Sequence, residues 1–140
     1  MWCAATAKHV HEGAPLGKVQ GDFMATHSGS CHCGKIAYDF ESEAITGGMA
    51  CNCSMCQRKG SVLHFIPAAA FTLKTPKENV ATYRFNKHII NHNFCPNCGT
   101  APFSDGTDPK GNKMVAINLR CVDGVDPQKL NIQHFDGRSA

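Results

Sequence analysis

Short runs of apolar and β-branched residues, separated by turn-forming residues, recur along most of the chain after residue 30. Ile36, Tyr38 and Phe40 alternate with Ala37 and Asp39, and this period of two predicts a half-buried strand. Further runs with high β-propensity predict strands at residues 62–66, 80–85, 89–94 and 114–119. The pattern therefore predicts a mainly β fold.

Helical signals are weak by comparison. Residues 54–59, 68–71 and 127–130 are each compatible with about one helical turn. Residues 104–112 are rich in turn-forming residues and predict a loop before the last of these strands. We therefore expect short strands with few short helical turns.

The length of 140 residues is enough for one domain with a modest core. Residues 1–27 are rich in Ala, Gly, His and Lys and show no sustained period, so we predict an N-terminal extension that need not be ordered. The domain itself is predicted over residues 28–140.

Charge and composition argue against several classes of partner. The net charge of +3 is scattered, and the aromatic content of 8% offers no obvious platform for stacking bases, so we expect no nucleic-acid binding. No apolar stretch approaches the roughly 20 residues of a membrane helix, and residues 1–18 lack the apolar core of a secretory signal. These features predict a cytoplasmic protein that does not bind a membrane.

Seven of the nine cysteines form three tight clusters, at residues 31–33, 51–56 and 95–98. Gaps of one or two residues let neighbouring thiolates bind one ion, whereas disulfide cysteines are usually spread along a chain, so the spacing favours zinc. A structural zinc takes four protein ligands, and a catalytic zinc commonly takes three. The count of seven therefore suggests two metal sites of different character.

Cys95 and Cys98 have the spacing of a zinc knuckle, and Gly99 follows them at the point where the chain must turn sharply. A knuckle supplies only two ligands. Cys31 and Cys33 are the natural second pair, because a glycine follows them in the same way. We predict that these four thiolates hold a structural zinc.

Cys51, Cys53 and Cys56 remain as a group of three, so that a fourth position could take water, a substrate thiol, His64 or Cys121. Three thiolates on a dication leave a net charge of −1, which weakens the metal as a Lewis acid but suits a thiol ligand. A zinc-bound thiol loses its proton at neutral pH and remains a sulfur nucleophile. The alternative is a second, closed structural site.

Other candidate residues have ordinary structural interpretations. We expect His32 to face solvent, and His88 and His92 to share an exposed strand face rather than form a ligand pair. Cys121 is expected to be a buried small hydrophobe and Cys3 a mobile thiol.

Two basic residues follow the group of three directly. Arg58 and Lys59 are interpreted as solvated charges, or, if this cluster is an active site, as groups that attract a substrate carboxylate.

The motifs at residues 30–34, 51–56 and 94–100, in this order, resemble the glutathione-dependent formaldehyde-activating family, which also includes the domain of centromere protein V. The resemblance covers roughly residues 28–136 and implies a β-tent zinc fold of short antiparallel strands in two sheets. It assigns to the structural metal Cys31, Cys33, Cys95 and Cys98. It assigns to the catalytic metal Cys51, Cys53 and Cys56.

The resemblance also implies an activity, the addition of glutathione to formaldehyde to give S-(hydroxymethyl)glutathione, classed as a carbon–sulfur lyase reaction. Two zinc ions per chain, a low-molecular-weight thiol and an aldehyde would then be the ligands. A non-enzymatic zinc module with two structural sites is the alternative, and it predicts a fourth protein ligand on the second zinc. Reduction of methionine sulfoxide is a third possibility, for which Cys121 is the only free cysteine in the domain.

Overall fold

The structure is a computed structural model that describes residues 24–85 and 89–139. The strands are β1 (Ala25–Ser30), β2 (Ala37–Ser42), β3 (Gly47–Cys51), β4 (Leu63–Pro67), β5 (Phe71–Leu73), β6 (Ala81–Tyr83), β7 (Ile90–Phe94), β8 (Phe103–Thr107), β9 (Lys113–Asn118) and β10 (Asn131–Phe135). The helix α1 spans Ser54–Lys59, and 3₁₀ turns lie at Ala68–Ala70, Lys77–Asn79, Leu119–Cys121 and Pro127–Lys129. None of the helices in this described part has the length and apolar character that crossing a membrane requires.

The strands form two sheets. The smaller sheet has the order β1-β2-β5, and the larger sheet has the order β10-β3-β4-β9-β8-β7-β6. The prediction of a mainly β fold in two sheets with few short helical turns is confirmed. Each predicted run of apolar residues forms a strand whose bounds lie within one or two residues of those expected.

The main core lies between the two sheets. Ile36, Tyr38 and Phe40, whose alternation predicted a half-buried strand, are at most 1% exposed and pack with Ile66 and Ile117 of the larger sheet. Each such side chain contributes roughly 1.5–3 kcal/mol through its burial. This inner core holds the smaller sheet against one face of the larger one.

A second apolar cluster covers the opposite, outer face of the larger sheet. Side chains alternate along a strand, so Leu63 and Phe65 of β4 face outward while Ile66 faces the inner core. Met114 and Ala116 of β9 lie in the same outer cluster. The cysteines of the second motif pack into it as well, so the two predicted metal sites belong to different layers of the fold.

Two features of the larger sheet differ from the prediction. β10 pairs with β3 in parallel, whereas only antiparallel strands were expected; a parallel pair needs a long connection, and most of the domain supplies it here. β8 lies partly within the segment predicted as a turn. Its sequence is polar and contains Gly106, but β7 and β9 provide backbone partners on both sides.

The first strand begins before the expected start of the domain. Residues 25–27, which fall within the predicted extension, pair with β2. The rest of the extension, including Cys3, lies outside the described residues, apart from Met24. The boundary between extension and domain remains a prediction.

Gly48 provides a test of the packing between β3 and its neighbours. A Cβ atom at this position would lie 2.5 Å from Val62 Cγ1 and 2.9 Å from Leu119 Cδ1. We expect Gly48→Ala to lower the free energy of unfolding by about 1–3 kcal/mol, because two buried side chains must shift. Urea unfolding measures this change. Gln133→Ala is the control: this residue is exposed on β10, the other neighbour of β3, so a change within about 0.5 kcal/mol is expected.

Candidate metal centres

Four cysteines converge where the two sheets meet. Cys31 and Cys33 lie in the loop from β1 to β2, in the smaller sheet, and Cys95 and Cys98 lie in the loop from β7 to β8, in the larger sheet. Their sulfurs all lie within 4.8 Å of one another. The thiols are free rather than joined in disulfides. The structure thus brings together the two pairs that the sequence suggested.

The spacing of these sulfurs fits a tetrahedral metal site. Zn–S bonds of about 2.3 Å in a tetrahedron place the sulfurs about 3.8 Å apart. The Sγ atom of Cys33 lies 3.7 Å from that of Cys31 and 3.6 Å from that of Cys95. The backbone N–H groups of Ile36 and Cys98 point at the sulfurs of Cys31 and Cys95, each at 3.4 Å, as donors to metal-binding thiolates do. This four-cysteine group could hold a metal ion.

The glycines that follow each pair have the conformation that the sequence predicted. Gly34 and Gly99 have φ angles of +86° and +81°, and each allows the chain to turn just after the second cysteine. Beside this turn, hydrogen bonds from Thr100 lower the pKa of the Cys98 thiol to about 5. A lowered pKa favours the thiolate, which is the form that binds a metal.

Cys51, Cys53 and Cys56, the cysteine trio, form a second group on the outer face of the larger sheet. Cys51 is the last residue of β3, Cys53 is the N-cap of α1, and Cys56 lies in its first turn. Their sulfurs also lie within 4.8 Å of one another, and all three side chains are buried. The N–H of Cys53 donates to Cys51 Sγ and that of Cys56 to Cys53 Sγ, each at 3.4 Å. This group could hold a second metal ion.

Within the described residues, no histidine, cysteine or carboxylate joins the trio as a fourth ligand. His64 follows Leu63 on β4, so alternation turns it to the other face, where its Nε2 lies 2.8 Å from Ser42 Oγ. There it borders a cavity of about 240 Å³ that no cysteine of the trio lines. Cys121 is half-buried and belongs to neither cysteine group. Burial raises its pKa to about 11, and the thiols of the four-cysteine group add to that effect.

The C-terminal segment, residues 136–138, contacts two residues that neighbour the trio cysteines in sequence. Asn52 donates from Nδ2 to Asp136 (3.0 Å), and its Oδ1 accepts from the backbone N–H of Arg138 (2.9 Å). The Arg138 guanidinium donates to Gln57 Oε1. These hydrogen bonds hold the C-terminal segment to residues on both sides of Cys53. Local sequence patterns carry no signal for these contacts, because they join residues more than 80 positions apart.

The predicted exposure of the histidines is confirmed in one case and wrong in another. His32 is exposed, as expected for a residue between two ligands. His92 was expected on an exposed face but is 8% exposed, because it lies on β7 between β6 and β8 and stacks on Phe85 at 5.3 Å. His88 lies outside the described residues.

A polar cluster that sequence reasoning missed lies on the same outer face as the trio. His92 is opposite Ser104 in the β7–β8 register, and Lys59, at the end of α1, places its Nζ 3.5 Å from Ser104 Oγ. Burial lowers the pKa of Lys59, and the thiols of Cys56 and Cys53 oppose that shift. Burial and the Lys59 charge lower the pKa of His92 to about 4.

One of the two basic residues after Cys56 behaves as predicted. Arg58 is exposed and donates to Ser54 O at 3.0 Å within its own helix. Lys59 is partly buried instead of fully solvated. Its three-residue separation from Cys56, almost one helical turn, is the signal that could have placed it near the trio.

These features define a mainly β protein with two separate cysteine groups able to hold metal ions. The sequence profile of the glutathione-dependent formaldehyde-activating enzyme family matches residues 26–136, and the chain belongs to this family. A solved structure of a Rhodobacter sphaeroides protein has the same fold, with a TM-score of 0.66 and 23% sequence identity. That similarity covers 76% of this chain and 99% of the Rhodobacter chain.

The two cysteine groups predict different consequences for cysteine variants. We expect two metal ions per chain by mass spectrometry of the native protein. Cys98→Ser should cost several kcal/mol of stability, because a metal held by the four-cysteine group would contribute to folding. Cys53→Ser should remain folded with one metal ion. Cys121→Ser, the matched control, should keep both ions; loss of one ion from it would contradict the assignment.

The buried His92 predicts a pH dependence of stability. Its pKa in the folded protein, about 4, is below the usual value near 6.5, so between these values the unfolded chain binds a proton that the folded protein does not. Stability must therefore fall as the pH drops through this window. From pH 7 to pH 5, wild type should lose about 1–2 kcal/mol more than His92→Gln in urea unfolding. Wild type and His92→Gln both keep every cysteine. Any stability lost through acid release of metal is therefore the same in both and does not contribute to the difference between them. Equal losses would contradict the assignment.

Proposed function

We propose that the protein is a zinc-dependent enzyme of the carbon–sulfur lyase type, which binds a low-molecular-weight thiol such as glutathione and joins it to formaldehyde or a related aldehyde. The observation that carries the proposal is the cysteine trio, which the described residues do not complete with a fourth ligand. Membership of the glutathione-dependent formaldehyde-activating enzyme family supports the choice of thiol and aldehyde. We assign zinc to both cysteine groups, a structural ion to the four and a catalytic ion to the trio.

The donor set of the trio suits thiol chemistry. Zinc held by three thiolates supplies a position at which a further thiol loses its proton at neutral pH while remaining nucleophilic. Cys51 and Cys53 each accept a backbone N–H, which lowers the electron density on their sulfurs and keeps them oriented toward one point. The chain thereby contributes a preformed set of three ligands.

The surroundings of the trio leave room for a thiol on one side. A surface cavity of about 370 Å³ is lined by Cys51, its neighbour Asn52, and Gln57, Phe135 and Asp136. Phe135 offers an apolar surface for the methylene next to a thiol sulfur, and the amides of Asn52 and Gln57 offer polar contacts. Because a thiol and formaldehyde combine without a catalyst, the protein contributes mainly positioning and thiolate formation.

The observed positions of two side chains bear on the alternatives. The structural-module alternative requires a fourth ligand, and the two named candidates, His64 and Cys121, lie away from the trio. Methionine sulfoxide reduction would need Cys121 as a thiolate, but its pKa is raised to about 11. A cytoplasmic location, where thiols stay reduced, is part of our proposal.

Formation of the hemithioacetal tests the proposal. Exchange NMR at fixed glutathione and formaldehyde should show faster interconversion with the zinc-loaded protein than without it. Cys53→Ala should abolish the acceleration, because two thiolates do not hold the metal in the same geometry. Cys121→Ala is the control and should match wild type. If wild type and Cys53→Ala gave equal rates, the protein would be a zinc module without this activity.

A further inference from the structure

We propose that the C-terminal segment positions the cysteine trio for metal binding, by holding the chain on the two sides of Cys53. The inference rests on the hydrogen bonds that join Asn52 and Gln57 to residues 136–138. It requires that the trio holds a metal ion, but it does not depend on the reaction proposed above. Asn52 and Asp136 are then positioning residues, which act through the backbone of the trio and touch no substrate.

Asn52 is the residue through which the segment acts on the sulfurs. It stands between two of the trio cysteines, and because the peptide unit is planar, its ψ angle sets the direction of the N–H of Cys53. That N–H donates to Cys51 Sγ at 3.4 Å. Donors of this kind orient metal-binding groups, so any freedom at Asn52 becomes freedom in this part of the site.

Three hydrogen bonds restrict Asn52. Its backbone N–H donates to the carbonyl oxygen of Phe135 at 3.2 Å, and its Nδ2 donates to Asp136 Oδ1 at 3.0 Å. Its Oδ1 accepts from the backbone N–H of Arg138 at 2.9 Å. The three partners lie within four residues of one another at the end of the described chain. A single stretch of chain therefore fixes both the backbone and the side chain of Asn52.

The same segment also contacts helix α1. The Arg138 guanidinium donates to Gln57 Oε1, and the backbone N–H of Gln57 donates to the carbonyl oxygen of Cys53 at 2.9 Å. Gln57 directly follows Cys56. The segment is thus tied both to the residue that follows the strand end with Cys51 and to the helix that carries the other two sulfurs.

The larger sheet gives the segment a fixed starting point. β10 runs parallel to β3, and its last residue, Phe135, is opposite Cys51 in the register. The C-terminal segment continues from there, so it reaches the trio as an extension of the sheet. Ligands that are already ordered lose less conformational entropy when the ion binds. The segment should therefore raise the affinity of the trio for a metal ion.

A role limited to tethering the chain end predicts a different result. The side-chain hydrogen bonds of the segment to Asn52 and Gln57 are exposed to solvent. Exposed substitutions usually change the stability of a protein little. A tether would thus affect the stability slightly and the metal affinity not at all, whereas positioning affects the metal affinity of the trio and leaves that of the four-cysteine group unchanged.

Zinc affinity gives the first test. Zinc-loaded protein is titrated with a chelator, and the release step that is missing in Cys53→Ser belongs to the trio. Asn52→Ala should weaken zinc binding in this step about 10–100-fold, as loss of an outer partner of a metal site does. Asp136→Ala removes one of the two side-chain bonds and should weaken it at least about threefold. Asp136→Asn keeps an acceptor oxygen and should recover most of the affinity.

A matched control comes from another asparagine–aspartate pair. Asn112 donates from Nδ2 to Asp108 at 3.2 Å in the exposed loop between β8 and β9. Asn112→Ala removes this bond and should release both ions as wild type does. Unchanged affinity of the trio in Asn52→Ala would overturn the proposal. Equal weakening at both cysteine groups would also overturn it, because general destabilisation would then be the cause.

Hydrogen exchange tests the positioning directly. The N–H of Cys98 donates to Cys95 Sγ at 3.4 Å, the same distance as in the trio, and serves as the internal reference. In zinc-loaded Asn52→Ala, the amide of Cys53 should exchange at least about tenfold faster than in wild type, with Cys98 unchanged. Equal exchange at Cys53 in the two proteins would contradict the proposed mechanism.

Coupling between the metal ion and the segment must be mutual. If the segment favours metal binding, the ion must in turn stabilise the contact of Arg138 with Asn52. The amide of Arg138 should therefore exchange faster in Cys53→Ser, which keeps only the ion of the four-cysteine group, than in wild type; equal rates would count against the proposal. These measurements use neither thiol nor aldehyde. A protein that shows this coupling but does not accelerate hemithioacetal formation would reject the proposed function and support the positioning role.

Discussion

The junction of the two sheets depends on four thiol groups that arrive from opposite sides. Cys33 and Cys95 stand 62 positions apart in sequence, and their sulfurs lie 3.6 Å apart. Closing so long a loop has a large entropic cost, which a shared metal ion would offset at one point. The core residues Tyr38 and Ile117 pack between the two sheets in the same cluster as Cys31 and Cys95. Because β5 contributes only three residues, the three-stranded sheet keeps its position mainly through this inner core and the cysteine junction.

The alternation of side chains explains why the two cysteine groups can differ in character. Successive residues of β4, such as Phe65 and Ile66, point to opposite faces of the larger sheet and pack into different clusters. Cys31 and Cys95 of the four-cysteine group belong to the inner cluster, and Cys33 is exposed at its edge. The trio lies on the outer layer at the start of a short helix, beside a surface cavity.

Much of this arrangement could be predicted from local sequence. The cysteine spacing, the glycines at 34 and 99, and the helix Ser54–Lys59 all depend on neighbouring residues, and each matches the prediction. The pairing of β10 with β3 and the contact of Asn52 with Asp136 could not be predicted, because they depend on long-range packing. His92 was misjudged for the same reason: strand period tells which residues share a face, but not whether another element covers it.

Electrostatics narrows the class of electrophile that the outer site can accept. Three thiolates and a divalent ion carry a net charge of −1, and a bound substrate thiolate makes it −2. The Lys59 ammonium reduces this to −1, so an anionic electrophile would still be repelled. A neutral carbonyl compound meets no such penalty on approach. Its negative charge develops only as the S–C bond forms, and it then develops on the oxygen, after the carbonyl has reached the site. The charge balance therefore favours a small neutral aldehyde over an anionic keto acid.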